Sequence, residues 1–215
     1  MILKRLKVNT ILGEPTNCYI VEDEISKEAM VIDPGGEPEK IIQMLDILEA
    51  RLKYIYLTHC HADHIGAVIE LKKAKGGKIL ILRADAEGLN DENINLSRCI
   101  NMGDIELEAD SRVDDGDTIH VGSLEFKVIS TPGHTIGSSS LYCKEEGLLF
   151  SGDTLFRGTW GRTDLPTGNF EQIINSITNK LTVLPDNTIV YPGHGRITTI
   201  REEDPIYLEL KPRLD

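Results

Sequence analysis

Residues 2–8 alternate apolar and basic side chains, the period-two pattern of a strand buried on one face. Residues 18–22 and 29–32 read as two further strands around the polar turn at 23–27, and the second ends in the tight loop Asp33-Pro34-Gly35-Gly36. Residues 37–50 switch period. Ile41, Ile42, Leu45, Ile47 and Leu48 fall at helical spacing behind an acidic first turn. An apolar strand at 54–57 follows, then a helix predicted over 65–75 and stopped by Gly76-Gly77. Residues 78–82 read as a strand and 84–89 as a short helix. The polar stretch 90–112, with Asn90, Asn93, Asn95 and Asn101, carries no period and is expected to act as a lid, a binding loop or a packing surface.

The second half repeats this order. Strands at 118–121 and 124–129 flank the two-residue hairpin signal Gly122-Ser123. A second pair, at 138–143 and 147–150, surrounds Lys144-Glu145-Glu146. Residues 170–184 place Ile173, Ile174, Ile177, Leu181 and Leu184 at helical spacing, 188–191 form a last core strand, and 201–210 a terminal helix interrupted near Pro205. Strands, then a helix, then a further strand, given twice, predict an α/β chain built as a four-layer αββα sandwich, with two sheets face to face and helices outside.

The 215 residues are expected to form one domain, 1–215, with a substantial core. A formal charge of -12 argues against a nucleic-acid surface. Cys18, Cys60, Cys99 and Cys143 share no C-x-x-C spacing, so free thiols in a reducing compartment are expected. The first fifteen residues lack the apolar run of a signal peptide, and no stretch approaches the roughly 20 apolar residues of a membrane span. The expectation is a soluble, cytoplasmic protein with no membrane or nucleic-acid partner.

The chemistry concentrates in Thr58-His59-Cys60-His61-Ala62-Asp63-His64, directly behind the apolar strand at 54–57. In extended chain, residues two apart point the same way, so His59 and His61 share a cavity while Cys60 points away into packing. Asp63 and His64 sit where the chain turns into a helix and approach from a second side. Imidazoles and carboxylates suit Zn²⁺, Fe²⁺ or Mn²⁺, and a motif feeding two directions suggests two adjacent ions. His134, Asp153 and His194 obey one placement rule, each just past an apolar strand and beside glycine. Singly, His134 or His194 reads as a hydrogen-bonded structural histidine; with the first motif they read as ligands. His120 reads as a surface residue. Trp160, the single tryptophan, packs beside the site or pins its loop.

His-x-His-x-Asp-His at 59–64, Pro132-Gly133-His134, Gly152-Asp153-Thr154 and Pro192-Gly193-His194 together resemble the metallo-β-lactamase-fold superfamily, over most of the chain. The resemblance implies an αββα sandwich with a metal centre along one edge of the sheets. It implies that His59, His61 and His134 hold one ion, that Asp63, His64 and His194 hold the other, and that Asp153 bridges them. Zinc is the expected metal, with iron or manganese as alternatives. Asp33 would either orient one histidine or serve as a turn residue.

The run from Gly152 to Pro166, with Arg157, Arg162 and Asp164, is similar to glyoxalase II-type hydrolases, and the three charged residues are expected to form an internal ion-pair network behind the metal loop. Only 21 of the 215 residues follow His194, too few for that group's C-terminal glutathione-binding helical domain. The short single-domain branch is therefore expected. The implied activity is hydrolysis of a small thioester or ester by a metal-bound hydroxide, with Asp153 holding both ions. Asp63 is expected to take a proton from the attacking water if it is not fully committed as a ligand. A mononuclear iron persulfide dioxygenase, suggested by the Thr-His-Cys-His-Ala-Asp-His spelling, and a lactonase or β-lactamase of the same fold are the alternatives.

Overall fold

The computed structural model describes residues 1–10, 15–98, 105 and 107–203. The opening alternation forms β1 (Ile2–Val8), which runs antiparallel to β2 (Thr16–Glu22), itself antiparallel to β3 (Glu28–Ile32). The sheet continues through three parallel pairings, to β4 (Arg51–Leu57), β5 (Lys78–Leu82) and β6 (Ser111–Val113). The last of these lies in the stretch that carried no readable period.

In the second sheet β7 (Thr118–Val121), β8 (Leu124–Ser130), β9 (Ser139–Cys143) and β10 (Leu148–Gly152) are successively antiparallel. A small ribbon, β11 (Leu155–Phe156) with β12 (Thr159–Trp160), follows. Then β13 (Ile189–Pro192) pairs parallel to β10, and β14 (Thr198–Thr199) closes the sheet.

Both sheets are covered on both faces, which is why β2 is buried at every position instead of alternating. Tyr19, Val21, Met30, Ile32 and Tyr56 point between the sheets and meet Val121, Phe126, Leu141 and Phe150. The alternate residues Cys18, Ile20, Val31, Ile55 and Leu57 point outward. They pack on α1 (Pro38–Leu48) through Ile41 and Leu45. Beyond α2 (Ala62–Ile65) they meet α3 (Val68–Lys75), through Val68 and Leu71. On the far side, Leu149 and Val190 pack on α4 (Phe170–Ser176) and its π-helical continuation Ile177–Leu181, through Ile173, Ile177 and Leu181. The αββα sandwich is therefore built from three apolar layers, and each fully buried Leu, Ile, Val or Phe in them contributes about 1.5–3 kcal/mol relative to exposure. Asn169 caps α4, its side chain accepting from the Gln172 amide at 3.0 Å.

The predicted helix at 65–75 is broken. The chain turns into α2 already at Ala62, and α3 starts only at Val68, because the Ala67 amide leaves the helical ladder and donates to the Pro34 carbonyl at 2.9 Å. Residues 200–203 begin the expected terminal helix; its remainder, Cys99 and part of the 90–112 stretch lie outside the described residues. Among the described residues no helix is long and apolar enough to cross a membrane.

Strand direction positions the site. β3, β4 and β5 are mutually parallel, and β8, β10 and β13 share a direction because β9 reverses the chain between β8 and β10. The loops after these strands carry Asp33, His59–His64, Asp85, His134, Asp153 and His194, and they gather along one edge of the sandwich.

Candidate metal centre

All seven ligand-type residues predicted from the sequence meet at that edge. His59, His61 and His134 form one group able to hold an ion, Asp63, His64 and His194 form another, and His59, His64 and Asp153 form a third between them. The ring centroids of His59, His61 and His134 are 4.6–4.8 Å apart, those of His64 and His194 5.2 Å apart. The Asp153 carboxylate reaches both groups: Oδ1 lies 3.4 Å from His64 Nε2, and Oδ2 lies 3.7 Å from His134 Nε2 and 3.5 Å from His194 Nε2.

Neighbouring oxygens fix the histidine tautomers. His134 Nδ1–H donates to the Arg162 carbonyl at 2.8 Å, and His64 Nδ1–H to Asp33 Oδ2 at 3.0 Å. Thr58 Oγ1 donates to Asp33 Oδ2 at 2.7 Å, which leaves its lone pair to accept from His59 Nδ1–H at 3.1 Å. In its neutral form each ring so held aims a bare Nε2 into the cavity. The second oxygen of Asp33 accepts from the Thr58 amide at 2.8 Å, so the side chain orients a histidine as well as closing its turn.

A metal ion fits these residues. His59 Nε2, His61 Nε2 and Asp153 Oδ1 are buried with no hydrogen-bond partner among the described residues. His61 Nδ1 and His134 Nε2 are 2.9 Å apart, two nitrogens converging on one point. Buried donors and acceptors are normally paired, and unpaired ones lining a cavity where ring nitrogens converge ask for a cation.

The fields agree. Burial, reinforced by neighbouring imidazoles, holds His59 well below the usual range and His61 at about 3, so both are neutral lone-pair donors. Burial also lowers His64, but Asp153, Asp63 and Asp33 outweigh it and drive its pKa up: the pocket demands positive charge there. Burial raises Asp63 and Asp153, yet the surrounding imidazoles hold both carboxyls below the ordinary carboxylate range.

Close approach to the Asp153 carboxylate requires glycine at position 193. A Cβ on Gly193 would lie 2.2 Å from Asp153 Oδ1 and 2.7 Å from His64 Cε1. The His194 loop is held from the other sheet, where Asn17 N–H donates to the Gly193 carbonyl, Asn17 Nδ2 to Pro192 and Gly195, and the Tyr19 hydroxyl to Pro192.

Other expectations divide. Cys60 packs in the helix-side core, and His120 is exposed beside Glu125. Trp160 packs on Phe170 at 6.0 Å. The internal ion-pair network is corrected: Arg162 and Asp164 form a bidentate but largely exposed pair, and Arg157 faces Glu202 at 3.7 Å. What supports His134 is the Arg162 backbone, which no charge pattern could announce. Asp85 was missed: it follows β5 closely, but alanine and not glycine stands on either side of it. The contacts of Asn17 and Tyr19 depend on which strands lie opposite, and the sequence offers no signal for them.

Residues 11–194 match the family model of the metallo-beta-lactamase superfamily. The chain belongs to this superfamily. It is 36% identical over 189 residues to hydroxyacylglutathione hydrolase GloC of Haemophilus influenzae, covering 87% of this chain and 89% of that one. The solved structure of the B3 metallo-beta-lactamase BLEG-1 superposes with a TM-score of 0.89 at 35% identity, over 98% of this chain and 100% of that one. TTHA1623, solved in a di-iron-bound form, gives 0.82 at 31% identity, over 93% of this chain and 96% of that one.

Proposed function

We propose that this αββα unit is a metal-dependent hydrolase of a small thioester, of the hydroxyacylglutathione hydrolase type. The observation that carries the reading is the meeting of two ligand groups on one shared carboxylate, Asp153. His59, His61 and His134 would hold one divalent ion and Asp63, His64 and His194 the other, with Asp153 in reach of both groups. Zinc is the proposed metal; the likeness to a di-iron protein makes iron the main competitor. Bound there, two ions supply hydroxide at neutral pH and a Lewis acid for a carbonyl oxygen.

The chain's own groups do the rest. Asp63, held ionised by His64 and His194 and slightly more exposed than Asp153, is placed to take a proton from the attacking water. A thiol leaving group, with a pKa of about 8.5, departs as thiolate without an acid from the protein. The identity to GloC over most of both chains supports the thioester as substrate.

The test is metal content per chain on protein purified without added metal, then hydrolysis of S-lactoylglutathione and of a β-lactam on the same sample. Two equivalents with thioester turnover are expected, with activity abolished and both ions weakened in Asp153→Ala. Turnover of the lactam alone would reassign the substrate. One equivalent of iron without hydrolysis would point to the persulfide dioxygenase, and an Asp153→Ala enzyme retaining most of its rate would sink the shared-carboxylate scheme.

A further inference from the structure

Asp85 is buried just beyond β5, at 2% exposure, and touches none of the seven ligand-type residues directly. Its carboxylate instead accepts three hydrogen bonds from the loops that carry them. Oδ2 takes the Cys60 amide at 3.0 Å and the Thr135 hydroxyl at 2.7 Å, and Oδ1 takes the Gly137 amide at 2.6 Å. Cys60 lies between His59 and His61, and Thr135 follows His134. Every member of one ligand group is thus a chain neighbour of a group bound by Asp85, and no member of Asp63, His64 and His194 is.

The clamp is also tight. A Cβ on Gly137 would fall 2.3 Å from the Asp85 amide nitrogen and 2.6 Å from its Oδ1, so the His134 loop is seated directly against this residue. Two of the three histidines come from a loop of the first sheet and the third from a loop of the second. One carboxylate with two oxygens therefore bridges loops that no covalent link holds together, beside the bond from the Ser139 amide to the Thr58 carbonyl at 2.8 Å. Asp85 reaches nothing in the second group, whose ties are Asp33 on His64 (Asp33 also holds Thr58 beside His59) and Asn17 with Tyr19 on the His194 loop.

We infer that Asp85 is a positioning residue dedicated to the His59–His61–His134 ion, gripping the two loops that supply its ligands. The inference rests on the metal-centre reading above. Substituting Asp85 loosens that ion and leaves the Asp63–His64–His194 ion as it was.

Zinc affinity, measured against a competing chelator, tests this in two single-group backgrounds. With Asp63→Ala leaving the three-histidine group intact, Asp85→Asn should weaken zinc about 10–100-fold, the usual effect of losing a partner behind the ligands. With His61→Ala leaving the other group, the same change should alter affinity less than twofold. Equal losses in both backgrounds, a loss only in the second, or none in either overturns the inference. Far-UV circular dichroism monitors folding; should Asp85→Asn fail to fold, Thr135→Val, which removes one donor of three, must show the same selectivity or the inference falls. A wild-type chain binding fewer than two equivalents would refute the two-ion reading separately. Asp85 is then judged by whether Asp85→Asn weakens the remaining ion at least tenfold.

Discussion

Gly193→Ala puts the geometry of the shared carboxylate to a direct test. The added methyl carbon would sit 2.2 Å from Asp153 Oδ1 and 2.7 Å from His64 Cε1, where ordinary contact begins near 3.4 Å. Asp153 would have to retreat by about 1.2 Å, and it has little freedom to do so. Its carboxylate is buried among His64, His134 and His194, and Gly161 packs so closely that a Cβ there would lie 1.9 Å from the Asp153 carbonyl oxygen. Gly193 does not occupy the left-handed region, so backbone strain does not confound the result. A misplacement of about 1 Å at reacting groups costs on the order of 100-fold in rate, and 100-fold is about 2.7 kcal/mol of barrier. The expected outcome is a fall of about 100-fold in kcat/KM for S-lactoylglutathione, with fewer than two metal equivalents retained per folded chain. A Gly193→Ala enzyme within threefold of wild type and carrying both ions would refute the claim that Asp153 works from this position.

Removing the metal with a chelator should lower Tm, because the ligand groups bind only in the folded chain. An ion present at 1,000 times its Kd stabilises by about 4.1 kcal/mol, so a loss of about 8–16 °C per ion is expected in a calorimetric scan of a chain this size; an unchanged Tm would contradict the centre. Asp33→Asn should weaken metal binding about 10–100-fold in a chelator titration, since its carboxylate accepts from the Thr58 amide, the Thr58 hydroxyl and His64. Phe150→Ala should cost about 3–5 kcal/mol by urea denaturation, because the ring is buried against Tyr19, Phe126 and Tyr191 between the sheets. Glu28 supplies a pH dependence. Lys53, followed by the Gly122 amide, holds its carboxyl at about 2 against 4.5 unfolded. Its stabilisation is therefore fully present above pH 4.5 and fades as pH falls towards 2. Wild type and Glu28→Gln should differ in urea midpoint near neutrality and converge in acid, and a constant gap would dismiss the ion-pair account.

The sequence alone determined a good deal of this molecule. Period and punctuation located nearly every long strand, because an apolar run bounded by glycine or polar turns is a local property. The seven ligand-type residues were legible for the same reason. Functional side chains sit at strand ends, and His134, Asp153 and His194 each advertise that position by an apolar run before and a glycine beside them. His59 and His61 needed only the two-residue repeat of extended chain.

What tertiary structure decided is the set of contacts that join distant segments. The break between α2 and α3 follows from the Pro34 carbonyl capturing the Ala67 amide, and that carbonyl is brought there by the pairing of β3 with β4. The grip of Asp85 on Cys60, Thr135 and Gly137 spans both sheets. The support of His134 by a backbone carbonyl and of the His194 loop by Asn17 has no spelling in the chain, since any residue offers a carbonyl and the partner of Asn17 lies on a strand of the other sheet. Local chemistry chose the ligand-type residues; the packing of the two sheets chose what holds them together.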